Sequence, residues 1–261
     1  MPNNRIDAEN EACHGSCLRN TRASLSFPVM TGVSINTKRK KMNIQKTIAL
    51  INAITASDHE LFDWCSTASK LCTAWISDDL QKFIKKGSKI VELGCGTGKQ
   101  TYALENIGLN CLGIDICENA IKRANENKKR YNSQAIFQEA SYFKTPHNDN
   151  SFDYVLFHKN IVECSKRDFG LLIQEINRVV VPDGKLFITI KNNANCENLK
   201  RIKKTVKIIK VRNGEEFEYP TYEWNKMILK ESIGDFFALE DQVAIENEKY
   251  SLMIFKKKKS C

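Results

Sequence analysis

The chain has 261 residues, 42% hydrophobic and 27% charged, with 40 lysines and arginines against 31 acids and a formal net charge of +9. That length suits one α/β domain with an appendage, and the composition excludes a chain disordered throughout. No apolar run approaches the ~18 residues a membrane span needs, and the N-terminus lacks a signal-peptide core, so the sequence reads as a cytoplasmic protein with no membrane partner.

Residues 1–41 show little periodic hydrophobicity and end in Lys38-Arg39-Lys40-Lys41, which reads as a disordered leader. The ten cysteines are scattered, and Cys13 and Cys17 form the only tight pair. A zinc site needs about four ligands, so no metal is expected. Residues 42–86 read as an N-terminal helical cap, because Leu61, Trp64, Cys65, Ala68, Leu71, Cys72 and Trp75 recur at three- and four-residue steps. Ser57 or Asp58 supplies its N-cap.

Residues 87–261 read as the main domain. A strand at Ile90–Leu93 precedes a helix at Lys99–Ile107, and a strand at Cys111–Ile116 precedes a helix at Glu118–Tyr131. Strands follow at Gln134–Gln138 and Tyr154–Phe157, then a helix from Asp168 to Val180 that stops before Pro182, then a strand at Lys185–Ile190. Such alternation predicts a parallel sheet with helices on both faces, and a ligand site at the carboxyl ends of the strands. Asn213-Gly214 lies between the extended runs 205–211 and 215–222, a strong hairpin signal and an insertion over about 203–222. A helix near Trp224–Ser232 and an antiparallel pair, Phe236–Glu246 and Lys249–Lys257, complete the chain.

The first strand runs into Glu92-Leu93-Gly94-Cys95-Gly96-Thr97-Gly98-Lys99. Three alternating glycines make a tight turn that a ligand can approach closely. Lys99 stands where the dinucleotide fingerprint requires its last glycine, so that fingerprint fails by one position. The segment resembles the first motif of class I S-adenosylmethionine-dependent methyltransferases, of the type 11/25-like kind. The resemblance implies a Rossmann-like, doubly wound seven-stranded sheet and S-adenosylmethionine as cofactor. By it, Glu92 lies near the methionine moiety, and Gly94, Cys95, Gly96 and Gly98 pack beneath. Asp115, ending the second strand, has the chemistry to accept hydrogen bonds from both ribose hydroxyls, and Ile116 follows it in the same site. Glu139-Ala140 resembles the Asp-Ala step that meets the adenine amino group. Asn150 to Phe157 resembles the fourth-strand motif, and Glu175 to Gly184 the later helix-turn-strand motif. There Asp183 replaces a glycine and is expected to hold the left-handed conformation. The resemblance covers roughly 60–257.

The acceptor end is less determined. His158 follows Phe157 where family members face the transferred methyl group. It either orients the acceptor, takes its proton, or simply packs. The hairpin carries Lys200, Arg201, Lys203, Lys204, Lys207, Lys210 and Arg212 on its first arm, with Tyr219, Tyr222 and Trp224 on or after its second. A solvated cover strand, a lid over a small acceptor and a surface tracking phosphates all remain open for it. No Asn/Asp-Pro-Pro-Tyr step follows the fourth strand, where Phe157-His158-Lys159-Asn160 stands. The expected activity is methyl transfer to nitrogen or oxygen of a small molecule. RNA (tRNA-type) methylation and a non-catalytic S-adenosylmethionine-binding subunit are the alternatives. The sequence leaves the oligomeric state open.

Overall fold

A computed structural model describes residues 71–210 and 216–259. The leader, the Cys13/Cys17 pair, the Leu61–Ala68 part of the apolar stripe, its Ser57-Asp58 cap and the Asn213-Gly214 turn lie outside the described residues.

Helix α1 (Leu71–Asp78) and a 3-10 turn (Leu80–Phe83) lead into strand β1 (Lys89–Leu93), followed by α2 (Lys99–Asn106), β2 (Asn110–Asp115), α3 (Glu118–Tyr131) and β3 (Ile136–Glu139). Then come β4 (Phe152–Phe157), a 3-10 turn (Asn160–Glu163), α4 (Lys166–Val179) and β5 (Val180–Lys191). Strands β6 (Lys203–Lys210) and β7 (Glu216–Glu223) pair only with each other, before α5 (Lys226–Ile233), β8 (Phe237–Ile245) and β9 (Tyr250–Lys257). The other seven strands form one sheet in the order β3-β2-β1-β4-β5-β9-β8. Strands β1 to β5 run parallel, while β9 is antiparallel to both neighbours, β5 and β8. Strand order reverses between β1 and β4, which opens a crevice at their carboxyl ends.

Period-two alternation sends successive side chains to opposite faces, and both faces are covered by helices. Val155 and Phe157 pack with Phe169, Leu172 and Ile176 of α4 and Leu229 of α5. Tyr154 and Leu156 pack on the other face with Trp75 and Ile76 of α1, Leu104 of α2 and Ala124 of α3. No helix among the described residues is long and apolar enough to cross a membrane.

Three of the boundaries that differ from the sequence reading do so for a clear local reason. β3 begins at Ile136, because the chain leaves α3 through left-handed Asn132 (φ 48°) and Gln134 N–H donates to Glu105 (2.7 Å). β5 begins at Val180, because Val180 pairs with Phe152 before the chain turns through Asp183. Asp183 holds φ 62°, the left-handed conformation expected of it, and its carboxylate pairs with Lys256 at 3.1 Å. α4 begins two residues early, at Lys166, because Ser165 caps it by accepting from Asp168 N–H.

The β3–β4 connection is tied to α4. Arg178 donates to Glu175, to Asp149 (2.8 Å) and to the His147 carbonyl (2.7 Å), while Glu175 accepts from the Thr145 amide and hydroxyl. Burial alone would raise the Glu175 carboxyl, but these hydrogen bonds from Arg178 and Thr145 hold it below the usual carboxylate range. Glu175 and Arg178 of the helix-turn-strand motif therefore have a structural task, fixing the loop that brings β4 back into the sheet.

Candidate functional site

Gly94, Gly96 and Gly98 all adopt left-handed conformations, with φ of 74°, 53° and 83°. Their surroundings differ. A side chain at Gly94 would overlap Asn160, whose Nδ2 donates to the Leu93 and Gly94 carbonyls at 2.9 and 3.0 Å. One at Gly98 would stand 2.5 Å from the Phe137 ring. At Gly96 nothing lies within 4 Å, so this residue alone of the three opens to free space. Cys95 is buried with its sulfur against Gly113, and its thiol donates to the Gly96 carbonyl at 3.6 Å, bracing the turn from beneath.

Asp115 holds this turn. One carboxylate oxygen accepts from Gly96 N–H at 2.8 Å, and the other accepts from Cys117 N–H at 2.9 Å, at the start of α3. Burial raises its pKa despite these amides. Each oxygen keeps a further acceptor position. Glu92 is 2% exposed and accepts from the Thr101 hydroxyl at 2.5 Å. Burial pushes its carboxyl up to about 8, so it is largely protonated at neutral pH.

Glu139 sits opposite Asp115 in the β2–β3 ladder and is exposed, and Ala140 N–H donates to the Asp115 carbonyl at 2.9 Å. Ile116 is half-buried beside them. Phe157 is fully buried, its ring edge-on to Tyr142 at 5.7 Å, so it supports the crevice from within the core. The strand ends thus gather an open glycine position, a carboxylate with free acceptor positions and an exposed carboxylate one strand further out. That donor and acceptor set fits a nucleoside lying across β1, β2 and β3.

His158 begins the acceptor-side cluster. Its Nδ1 lies 3.2 Å from the Thr189 hydroxyl, which itself accepts from Lys159 N–H at 2.7 Å. The other ring nitrogen is Nε2. That atom is buried without a hydrogen-bond partner, 4.0 Å from a Glu246 carboxylate oxygen. The ring stacks on Trp75 at 5.2 Å. Burial, then the nearby Lys159 and Lys99 charges, take His158 down to about 3, so it is neutral. Lys159 pairs with Glu246 at 2.7 Å and lies 4.5 Å above the Tyr250 ring.

Among the hairpin aromatics, Trp224 is turned into the core. It is 3% exposed, donates from Nε1 to the Cys164 carbonyl at 3.0 Å and packs on Phe169, so it anchors the chain instead of facing an acceptor. Tyr222 is half-buried on β7, which packs against the Asn160–Glu163 turn just after β4. The Tyr219 side chain lies outside the described residues. The sequence reading missed Asn160, Thr101, Thr189 and Glu246. Asn160 and Thr101 flank the quoted motifs and had a weak signal there. Glu246 is 87 residues from its partner Lys159 and had none.

Residues 91–188 match the family model of the methyltransferase domain. The demethylmenaquinone methyltransferase of Staphylococcus carnosus is 33% identical over 104 residues, covering 39% of this chain and 42% of that protein. The phosphoethanolamine N-methyltransferase of Plasmodium falciparum is 26% identical over 157 residues, 58% of each chain. The chain therefore spans about two-fifths to three-fifths of the length of these curated relatives. Among solved structures, the 1,6-didemethyltoxoflavin-N1-methyltransferase of Burkholderia thailandensis, with bound S-adenosylhomocysteine, superposes with a TM-score of 0.61 at 14% identity, covering 86% of this chain and 94% of that one. At that identity the likeness is one of fold.

Proposed function

The chain belongs to the class I S-adenosylmethionine-dependent methyltransferases, and on that premise we propose that it methylates a nitrogen or oxygen atom of a small-molecule acceptor. The reading rests on the Gly94–Gly98 turn, closed on two sides by Asn160 and Phe137 and open only at Gly96, with Asp115 gripping it. A small acceptor is favoured over RNA by the relatives, which are named for small molecules.

In this reading Glu92, Gly94, Cys95, Gly96 and Gly98 hold the methionine end of the cofactor. Asp115 and Ile116 hold the ribose, Glu139 and Ala140 the adenine, and Phe157 backs the crevice. When bound, the cofactor supplies an electrophilic methyl on a sulfonium, so the displacement is accelerated mainly by alignment. Neutral His158, fixed by Thr189 and Trp75, orients the acceptor and excludes water rather than taking a proton. Tyr222, on the strand beside the turn after β4, bounds the acceptor side. Within the cap read from the sequence, the described helix α1 brings Trp75 against His158.

Calorimetric titration of the full chain with S-adenosylmethionine and S-adenosylhomocysteine tests this. Micromolar binding, lost in an Asp115→Ala variant that still unfolds cooperatively, supports it, and labelled methyl transfer to amines and alcohols then identifies the acceptor. Absence of binding by the folded chain refutes the reading. Binding with methyl transfer only to RNA refutes the small acceptor.

A further inference from the structure

The β6–β7 ribbon stands apart from the seven-stranded sheet, and its first arm is unusual in two respects. Val206 and Ile208 are 55% and 68% exposed, the two most exposed of the large hydrophobic side chains among the described residues. They alternate with Lys204 on one face of β6, with Lys203 and Lys207 on the other, all three lysines exposed. Lys200 and Arg201 are exposed just before the strand. From Asn198 to Gly214 the sequence contains seven cations and no acid. The acids of this insertion begin at Glu215 and continue along the second arm, where Glu223 lies 3.9 Å from Lys203. One long edge of the ribbon is therefore basic and studded with bare aliphatic side chains.

We propose that the β6 arm, through Val206, Ile208 and Lys200 to Lys207, docks this protein on an anionic lipid surface. Aliphatic side chains left in water are costly, and spacing them between lysines suits a bilayer interface. The apolar groups enter the acyl boundary while the long lysine stems carry their charges to the phosphate level. This attachment is peripheral and requires no membrane-spanning segment, so it modifies the expectation from the sequence that no membrane partner exists. The chemistry disfavours two other occupants. Nucleic acid bases stack on aromatic faces, whereas Val206 and Ile208 offer none. A second copy of this chain would bring a net charge of +9 against an edge that is already basic.

Co-sedimentation of the full chain with phosphatidylcholine vesicles, with and without about one third phosphatidylglycerol, tests the proposal. Retention is expected on the anionic vesicles alone and should weaken with salt. Two variants separate the contributions: Val206→Ser with Ile208→Ser keeps the charge, and Lys203→Gln with Lys204→Gln and Lys207→Gln keeps the aliphatic groups. Each should lower the vesicle partition coefficient by about tenfold or more. Far-ultraviolet circular dichroism and S-adenosylmethionine titration, unchanged in both variants, exclude misfolding as the cause. No retention on anionic vesicles overturns the proposal. So does retention that the serine pair leaves intact, or tight single-stranded RNA binding that the same serine pair abolishes. Because vesicle retention is read without turnover, its failure is distinct from failure of the methyltransferase reading.

Discussion

Replacing Glu92 with glutamine should flatten the dependence of folding stability on pH. The Glu92 carboxyl is 2% exposed and stands at about 8, against an ordinary 4.5. The folded protein therefore keeps this proton over a range in which the unfolded chain has released it. Stability is complete below 4.5 and is lost progressively as pH rises towards about 8, the reverse of a carboxylate held by a salt bridge. One unit corresponds to about 1.4 kcal/mol, so wild type should lose on the order of 2–3 kcal/mol between pH 6 and 8 through this group. Glutamine resembles the protonated carboxyl, can still accept from Thr101 and does not titrate. Urea denaturation of both proteins at pH 5, 6, 7 and 8 measures the effect. Wild type minus Glu92→Gln should fall by that amount from pH 6 to 8. Asp115, also raised by burial, is present in both proteins. Parallel stability profiles would refute the reasoning and show that Glu92 stays solvated enough to ionise normally.

The glycines of the turn should separate by function. Gly98→Ala places a methyl 2.5 Å from the Phe137 ring in a left-handed residue, and should cost about 2–4 kcal/mol in thermal or urea unfolding. Gly96→Val adds a Cβ that meets no atom within 4 Å, so it should cost little beyond the left-handed strain of about 1–2 kcal/mol while weakening S-adenosylmethionine binding more than tenfold by calorimetry. Equal stability losses, or unimpaired binding by Gly96→Val, would refute this assignment. His158, taken down to about 3 by burial, Lys159 and Lys99, should give a kcat profile with no limb near its ordinary 6.5. Because its folded pKa is lowered, it costs stability as pH falls from 6.5 towards 3, when the unfolded chain takes up the proton first. A kcat limb near 6.5 that disappears in His158→Gln would make it a general base instead.

Local pattern carried most of the fold. The run Ile90-Val91, the alternating glycines and the helix at Glu118–Tyr131 are written in adjacent residues, so period, turn chemistry and the family resemblance all converge on the same elements. Asp183 in a left-handed turn was legible for the same reason, since few residues tolerate that conformation. Burial and long-range contact could not be read in this way. The sequence places Trp224 beside two tyrosines, but only packing turns it inward onto Phe169 and the Cys164 carbonyl. It marks Asp115 as a ribose acceptor, but the folded chain also makes it the clamp between Gly96 and Cys117. The pairing of Lys159 with Glu246 and the elevated Glu92 carboxyl arise only when distant strands meet and water is excluded. Sequence determined which elements form and at which strand ends the crevice opens, because those depend on neighbours in the chain. Tertiary structure decided which side chains face that crevice and in which protonation state, because both depend on neighbours in space.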